Sequence, residues 1–344
     1  MGRVVIDTIY FEEEVRNHPR TQSLLDHFAK ARHIPIERYG ELFNKRSQNF
    51  RLQKLKPALI LAKKHKGHVL PTPKGFGIGG TKNFYFAHML NCLYDCRYCF
   101  LQGMYTSANY VLFVNYEDFD RALSKCIQQY PHDSITFFSG YDCDSLALEN
   151  ITGFAAHMLP VFKNFNSALL ELRTKSVQTH PLESITPIDN CVIAYSLMPQ
   201  IISKALDHKA PSIDRRLGAM VRLAKLGWKI GLRFDPLIYG INWKTHYKEL
   251  FNLIFAAIPI TSIHSVSYGP LRFPKAMFRK IVKLYPEEKL FAGALPEKDG
   301  LVAYKPEIEE EMADFCQRMF TKFISDTIVF QCTSEVQAEG QANE

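Results

Sequence analysis

From residue 83 onward the sequence alternates short apolar runs with amphipathic stretches, and this alternation limits the fold more than any other feature. Six runs have strand character: NFYFAHML at 83–90, SITFFSG at 134–140, SALLELRTKS at 167–176, NCVIAYSLM at 190–198, KIGLRFDPLI at 229–238 and SIHSVSYGP at 262–270. Between them, residues 145–162, 212–227 and 244–257 carry a helical period. Strands alternating with helices imply parallel β-α units, so the expected fold class is α/β. Pro211-Ser212 followed by Asp214 marks one helix start, and Gly227 its stop. Six units fall short of the eight that close a TIM barrel. An open partial barrel and a doubly wound sheet both satisfy the pattern. Residues 1–82 form an N-terminal extension, 83–274 the repeating body and 275–333 a C-terminal region. Residues 334–344, SEVQAEGQANE, read as a disordered tail.

Hydrophobic residues make up 47% of the chain, which excludes disorder throughout. No run reaches the roughly 18 apolar residues of a membrane span, and MGRVVIDTIYFEEEV lacks a signal-peptide pattern, so a soluble cytoplasmic protein with no membrane partner is expected. The charge is uneven. Residues 45–66 hold eight Lys or Arg and no acid; with 42 basic and 35 acidic residues in all, the net charge of +7 is concentrated there. Lys54, Lys56, Lys63 and Lys64 are candidate nucleic-acid contacts, with Phe43 and Phe50 near enough in sequence to stack on bases. A solvated basic face fits equally well. Gly75, Gly77, Gly79 and Gly80 resemble a phosphate loop, but they precede a strand where a dinucleotide fingerprint would follow one, so a turn is expected.

Three of the eight cysteines crowd into Cys92-Leu-Tyr-Asp-Cys96-Arg-Tyr-Cys99, just beyond the first strand run, at the end where α/β enzymes place their chemistry. Three thiolates on one loop suit a cubane iron–sulfur cluster that keeps one iron open for another ligand. Structural zinc is the rival, although the paired Cys-x2-Cys knuckles are absent. Three unrelated thiols are a third reading. Cys126, Cys191, Cys316 and Cys332 show no metal-site spacing.

Cys-x3-Cys-x2-Cys with an aromatic residue between the last two cysteines resembles the signature of the radical S-adenosylmethionine (radical SAM) superfamily. Cys99-Phe100-Leu101-Gln102, ELRTKS at 171–176, YSLMP at 195–199, RFDPLI at 233–238 and SYGPLRF at 267–273 resemble the spore photoproduct lyase family, as does LILAKK at 59–64. The resemblance implies an open (β/α)6 partial TIM-type barrel, a 4Fe-4S cluster on Cys92, Cys96 and Cys99, and SAM bound to the unique iron. It implies a lyase that cleaves a methylene-bridged thymine dimer in DNA through a 5′-deoxyadenosyl radical, with hydrogen returned by a cysteine–tyrosine relay. A reductant such as flavodoxin or ferredoxin and a monomeric state are implied with it. The lysine matching Lys175 contacts the SAM carboxylate, and the serine matching Ser196 lines the cofactor. The residues also allow a bland reading, since Glu171, Arg173 and Lys175 share one strand face and Glu171 is positioned to pair with either cation. Arg233 and Asp235 share a face in the same way and are expected to be a structural pair.

The departures fall on the hydrogen return. Members carry a Ser-Cys-Thr-Ser-Asp type stretch, and alignment on Asp144 puts Tyr141 at the donor cysteine and Cys143 at a serine that contacts SAM. Cys143, two positions on, points the same way along an extended segment, so it is either a donor or a packing residue. Tyr98 matches one relay tyrosine; Phe100 replaces the other and has no O–H to give. Three hypotheses follow: a repair lyase rewired through Cys143, Tyr141 and Tyr98; a radical SAM enzyme of this lineage with another substrate; and a non-enzymatic iron–sulfur nucleic-acid-binding protein.

Overall fold

A computed structural model describes residues 5–293 and 295–332. Each of the six apolar runs contains a strand: β1 (Lys82–Phe86), β2 (Ile135–Ser139), β3 (Ala168–Thr174), β4 (Cys191–Ser196), β5 (Lys229–Leu237) and β6 (Ile263–Pro270). They lie side by side in chain order, every neighbouring pair parallel. The order never reverses, as it must in a doubly wound sheet, so the alternative left open by periodicity falls to the open (β/α)6 partial barrel. Leu70–Pro71 extends the β1 edge antiparallel, and Val329–Gln331 extends the β6 edge parallel.

Helices cover the outer face. Ser212 caps Ile213–Lys225 by accepting from Arg215 N, and Gly227 follows at φ +100°, as its sequence signals require. The expected helix at 145–162 is instead two pieces, Glu149–Thr152 and Phe154–Phe162, because Gly153 takes φ +58° between them. Trp243–Ala257 and Pro306–Phe320 close the far side, where Phe234 stacks on Phe320 and meets Phe251 edge to face.

Strands from both sides of residue 82 share a sheet. Thr8–Glu12, Arg32–Ile36 and Leu59–Ala62 form a second sheet that takes its other two strands, Tyr110–Phe113 and Met89–Leu90, from the stretch assigned to the barrel. The cysteine loop leaves this sheet at Leu90 and returns to it at Tyr110, so both sheets position it. Arg272–Pro274, at the end of the body, forms a small antiparallel sheet with Glu297–Lys298 and Leu301–Ala303 of the C-terminal region, beside the helix Lys275–Leu284. The expected tail at 334–344 lies outside the described residues. Among the described residues no helix is long and apolar enough to cross a membrane.

Candidate active site

The cysteine loop sits beyond the carboxyl end of β1 and is fastened from three directions. Lys54 Nζ donates to the carbonyls of Cys92 (2.7 Å) and Tyr94 (3.2 Å). Asp95–Cys96 pairs antiparallel with Asp207–His208, and Arg97 N donates to Leu206 O at 2.9 Å. Tyr285 Oη reaches Asp95 and Gln102, while the Arg97 guanidinium lies 3.8 Å from the Tyr285 ring centroid. Burial pushes the thiols of Cys92 (to about 12), Cys96 and Cys99 up, while Lys54 pulls Cys92 and Cys99 down and Lys175 pulls Cys96 and Cys99 down. These cations favour the thiolates that an iron–sulfur centre requires.

The donor set separates the metal readings. A closed structural zinc site takes four protein ligands, whereas this loop offers three cysteines, which fit a cubane cluster that keeps one iron open.

Beside the loop the structure gathers a buried charged network. Tyr98 Oη donates to Asp207, Arg216 Nη2 donates to the other Asp207 oxygen at 2.6 Å, and Arg216 Nη1 donates to Ser196 O at 2.9 Å. The Lys175 ammonium stands 5.5 Å from the Tyr98 ring centroid. Burial would lower this ammonium, but Cys96 and Asp207 hold it above the usual lysine value; burial would raise Asp207, but Arg216 and Lys175 hold it below. Lys175, Ser196 and Tyr98 are thus brought together around Asp207 and Arg216. Asp207 and Arg216, which connect them, escaped the sequence reading. Arg216 had a signal: it falls on the helix face of Ile213, Ala219, Met220 and Leu223, where an apolar residue belongs.

At the barrel mouth the Tyr141 ring packs on Tyr85 (4.4 Å between centroids), Phe100 (5.4 Å) and Phe76 (6.3 Å). Cys143 is buried behind it, its sulfur 4.0 Å from His88 Nδ1, with His88 stacked at 3.7 Å on Phe154. Between them Asp142 is buried with Oδ1 unpartnered; burial pushes its carboxyl up to about 6, against the pull of Lys64. Among the described residues no ring contact joins Tyr98 to Tyr141; the Tyr98 hydroxyl is committed to Asp207. Asp144 is structural, accepting from Leu146 N, Ala147 N, Thr174 Oγ1 and Lys175 N. Within the barrel Glu171 takes Arg173 Nε at 2.9 Å and Arg233 Nη2 at 2.8 Å. The expected Arg233–Asp235 pair is therefore replaced: Arg233 turns to Glu171 because both point into the barrel, and Asp235 lies 3.6 Å from Arg272.

A family profile described as spore photoproduct lyase matches residues 72–300. The chain belongs to the spore photoproduct lyase family. It is 24% identical over 202 residues to spore photoproduct lyase of Bacillus subtilis strain 168, covering 58% of this chain and 59% of that relative. To the Geobacillus sp. enzyme of the same name it is 22% identical over 243 residues, 67% of this chain and 71% of that one. A solved spore photoproduct lyase double mutant with bound AdoMet and dinucleoside spore photoproduct superposes with a TM-score of 0.82 at 17% identity, covering 97% of this chain and all of that one. At that identity the likeness shows a shared fold.

Within this family fold the basic segment is not one continuous face. Lys54 is 5% exposed and spent on the cysteine loop, because the helix Phe50–Leu55 turns Phe50 and Lys54 inward together. Lys64 lies 4.7 Å from the Phe113 ring, Lys63 faces Glu14 and Lys56 pairs with Asp7. The four lysines expected on nucleic acid thus have protein partners. Gly75, Gly79 and Gly80 all take positive φ, which confirms a turn. Cys126, Cys191, Cys316 and Cys332 are buried.

Proposed function

We propose that this family member is a cytoplasmic, monomeric radical SAM lyase that opens a methylene-bridged thymine dimer in DNA. Cys92, Cys96 and Cys99 hold a 4Fe-4S cluster, and SAM lies against Lys175, Ser196, Tyr98 and Cys143. The carrying observation is the three-cysteine loop at the carboxyl end of an open six-strand parallel sheet, with the Lys175 cation beside it. When bound, the cluster and SAM would supply one-electron chemistry, with the electron from a reductant such as flavodoxin or ferredoxin.

The chain's own groups do the rest. The Lys175 ammonium, kept charged by Asp207 and Cys96, pairs with the SAM carboxylate. Tyr85, Phe76, Tyr141 and Phe100 offer flat apolar faces for the two bases, with Arg173 and Arg272 at their margin for phosphate. The opened product must collect a hydrogen atom. Tyr141 carries an O–H among the mouth rings, and Cys143 behind it keeps its S–H at neutral pH because burial raises it well above the usual thiol value. We assign the return to this pair, Cys143 as donor with Tyr141 relaying, and leave Tyr98 as the cofactor-side residue that orders Asp207.

A second reading rests on Asp142. Its unpartnered buried acceptor at the mouth suits a polar N–H on a different substrate of the same lineage. Anaerobic reconstitution with iron and sulfide, followed by SAM and dithionite with and without dimer DNA, tests both readings. The parent should be brown, cleave SAM and restore two thymines, whereas Cys96→Ala should be colourless and inactive but folded. Full SAM cleavage by Cys96→Ala would overturn the cluster assignment. A parent that cleaves SAM but leaves the bridged dimer intact gives way to the second reading.

A further inference from the structure

The side of the helix Phe50–Leu55 opposite Lys54 has no role so far. Leu52 is 63% and Leu55 77% exposed, and three-residue spacing puts them on one face. Arg51 and Lys56 adjoin them in sequence and Lys45 and Arg46 precede the helix by a few residues, all four exposed, in a stretch without an acid of its own. Arg51 and Lys56 meet Glu287 and Asp7 from other segments. Lys209 joins from beside the cysteine loop, donating to Lys54 O at 2.7 Å. Through Lys54 this exposed face is one side-chain length from the backbone of Cys92 and Tyr94.

Exposed apolar residues flanked by cations are the make-up of a protein-docking patch. Phosphates would use the cations but would bury neither leucine. We propose that the Leu52–Leu55 face, with Lys45 and Arg46, docks an acidic one-electron carrier protein of the flavodoxin or ferredoxin type. This rests on the cluster reading above. The carrier gives up one electron, the cluster on Cys92, Cys96 and Cys99 gains it, and no bond or proton is exchanged between the two proteins. Positive charge on this chain steers the acidic carrier, and the leucines hold it over the loop.

The test compares the reconstituted parent with Lys45→Glu/Arg46→Glu and Leu52→Ser/Leu55→Ser, circular dichroism confirming that each is folded. Binding of oxidised flavodoxin, measured by calorimetry at several salt concentrations, should weaken about tenfold in both. The charge variant should lose most of the salt dependence and the leucine variant should keep it. SAM cleavage driven by flavodoxin hydroquinone should fall with affinity at subsaturating carrier, while cleavage driven by dithionite stays at the parent level. Unchanged flavodoxin affinity in both variants would overturn the proposal, as would weakened duplex-DNA binding with flavodoxin binding intact, which would make the face a DNA contact. Failure of the parent with dithionite would refute the cluster reading itself, and the calorimetry would still decide the docking surface.

Discussion

In the proposed hydrogen return Cys143 gives the atom and Tyr141 relays it. If the thiol is the donor, Cys143→Ala should cleave SAM at the parent rate yet accumulate unquenched products on a bridged-dimer substrate, with Tyr141→Phe milder; product chromatography tells the two apart. Normal repair by Cys143→Ala together with failure of Tyr141→Phe would make the tyrosine the donor. The neighbouring His88 gives a pH signature. Burial holds its imidazole at about 3 in the fold, against an unfolded value near 6.5. The unfolded chain therefore binds a proton that the folded one refuses. Stability is full above about pH 6.5 and falls as pH drops toward 3, by about 2 kcal/mol at pH 5. His88→Phe keeps a ring against Phe154 and removes the proton, so its urea-unfolding free energy should drop about 2 kcal/mol less than the parent's between pH 7.5 and pH 5. Equal losses would show that His88 is not the titrating group. At this scale the cysteines were legible because their spacing is local. Lys54 was not: a basic run does not say which lysine a four-residue period turns inward.

At the scale of elements, the charged stripe on β3 shows how much a strand pattern carries. Period two placed Glu171, Arg173 and Lys175 on one face; Glu171 and Arg173 do pair, Lys175 lies just past the strand among Cys96 and Asp207, and only folding reveals that Glu171 meets Arg233 from β5, two strands away. Burial would raise the Glu171 carboxyl, while Arg233 and Arg173 hold it below the usual glutamate value. Glu171→Gln keeps one acceptor oxygen but leaves the buried Arg233 guanidinium without its counter-charge, with the neutral acceptors of Ser265 and Leu232 beside it. The expected cost is about 3 kcal/mol at pH 7, measured by urea unfolding. The ionised carboxylate's contribution is present above the usual glutamate value and lost as pH falls through the lowered folded value, so parent and variant should converge in acid. The six barrel strands were legible because each is an apolar run with turn signals around it. The N-terminal sheet was not, since its short strands come from segments up to a hundred residues apart and none carries the pattern of a repeating unit.

For the whole molecule, the cysteine loop is where the barrel, the N-terminal sheet and the C-terminal region meet, and Gly103 is the narrowest point of that meeting. The short helix Leu101–Met104 follows Cys99 directly, and a Cβ on Gly103 would stand 2.5 Å from the Met277 carbonyl oxygen and 3.0 Å from Ile281 Cγ1. Backbone cannot give way as a flexible side chain can, so Gly103→Ala must push the helix Lys275–Leu284 outward. Tyr285 follows that helix, and with it go the hydrogen bonds to Asp95 and Gln102 and the stacking on Arg97 that close the loop from the C-terminal side. The expected result is a destabilisation of about 1–3 kcal/mol, faster proteolytic cleavage within residues 285–300, and loss of iron on gel filtration from a chain whose circular dichroism is unchanged. Gly218→Ala is the control: its Cβ would meet only Arg222 Nη1 at 3.8 Å on the Ile213–Lys225 helix, so it should be neutral or stabilising by up to about 1 kcal/mol. If Gly103→Ala holds iron and resists protease as the parent does, the C-terminal region is a neighbour of the cysteine loop and not one of its supports.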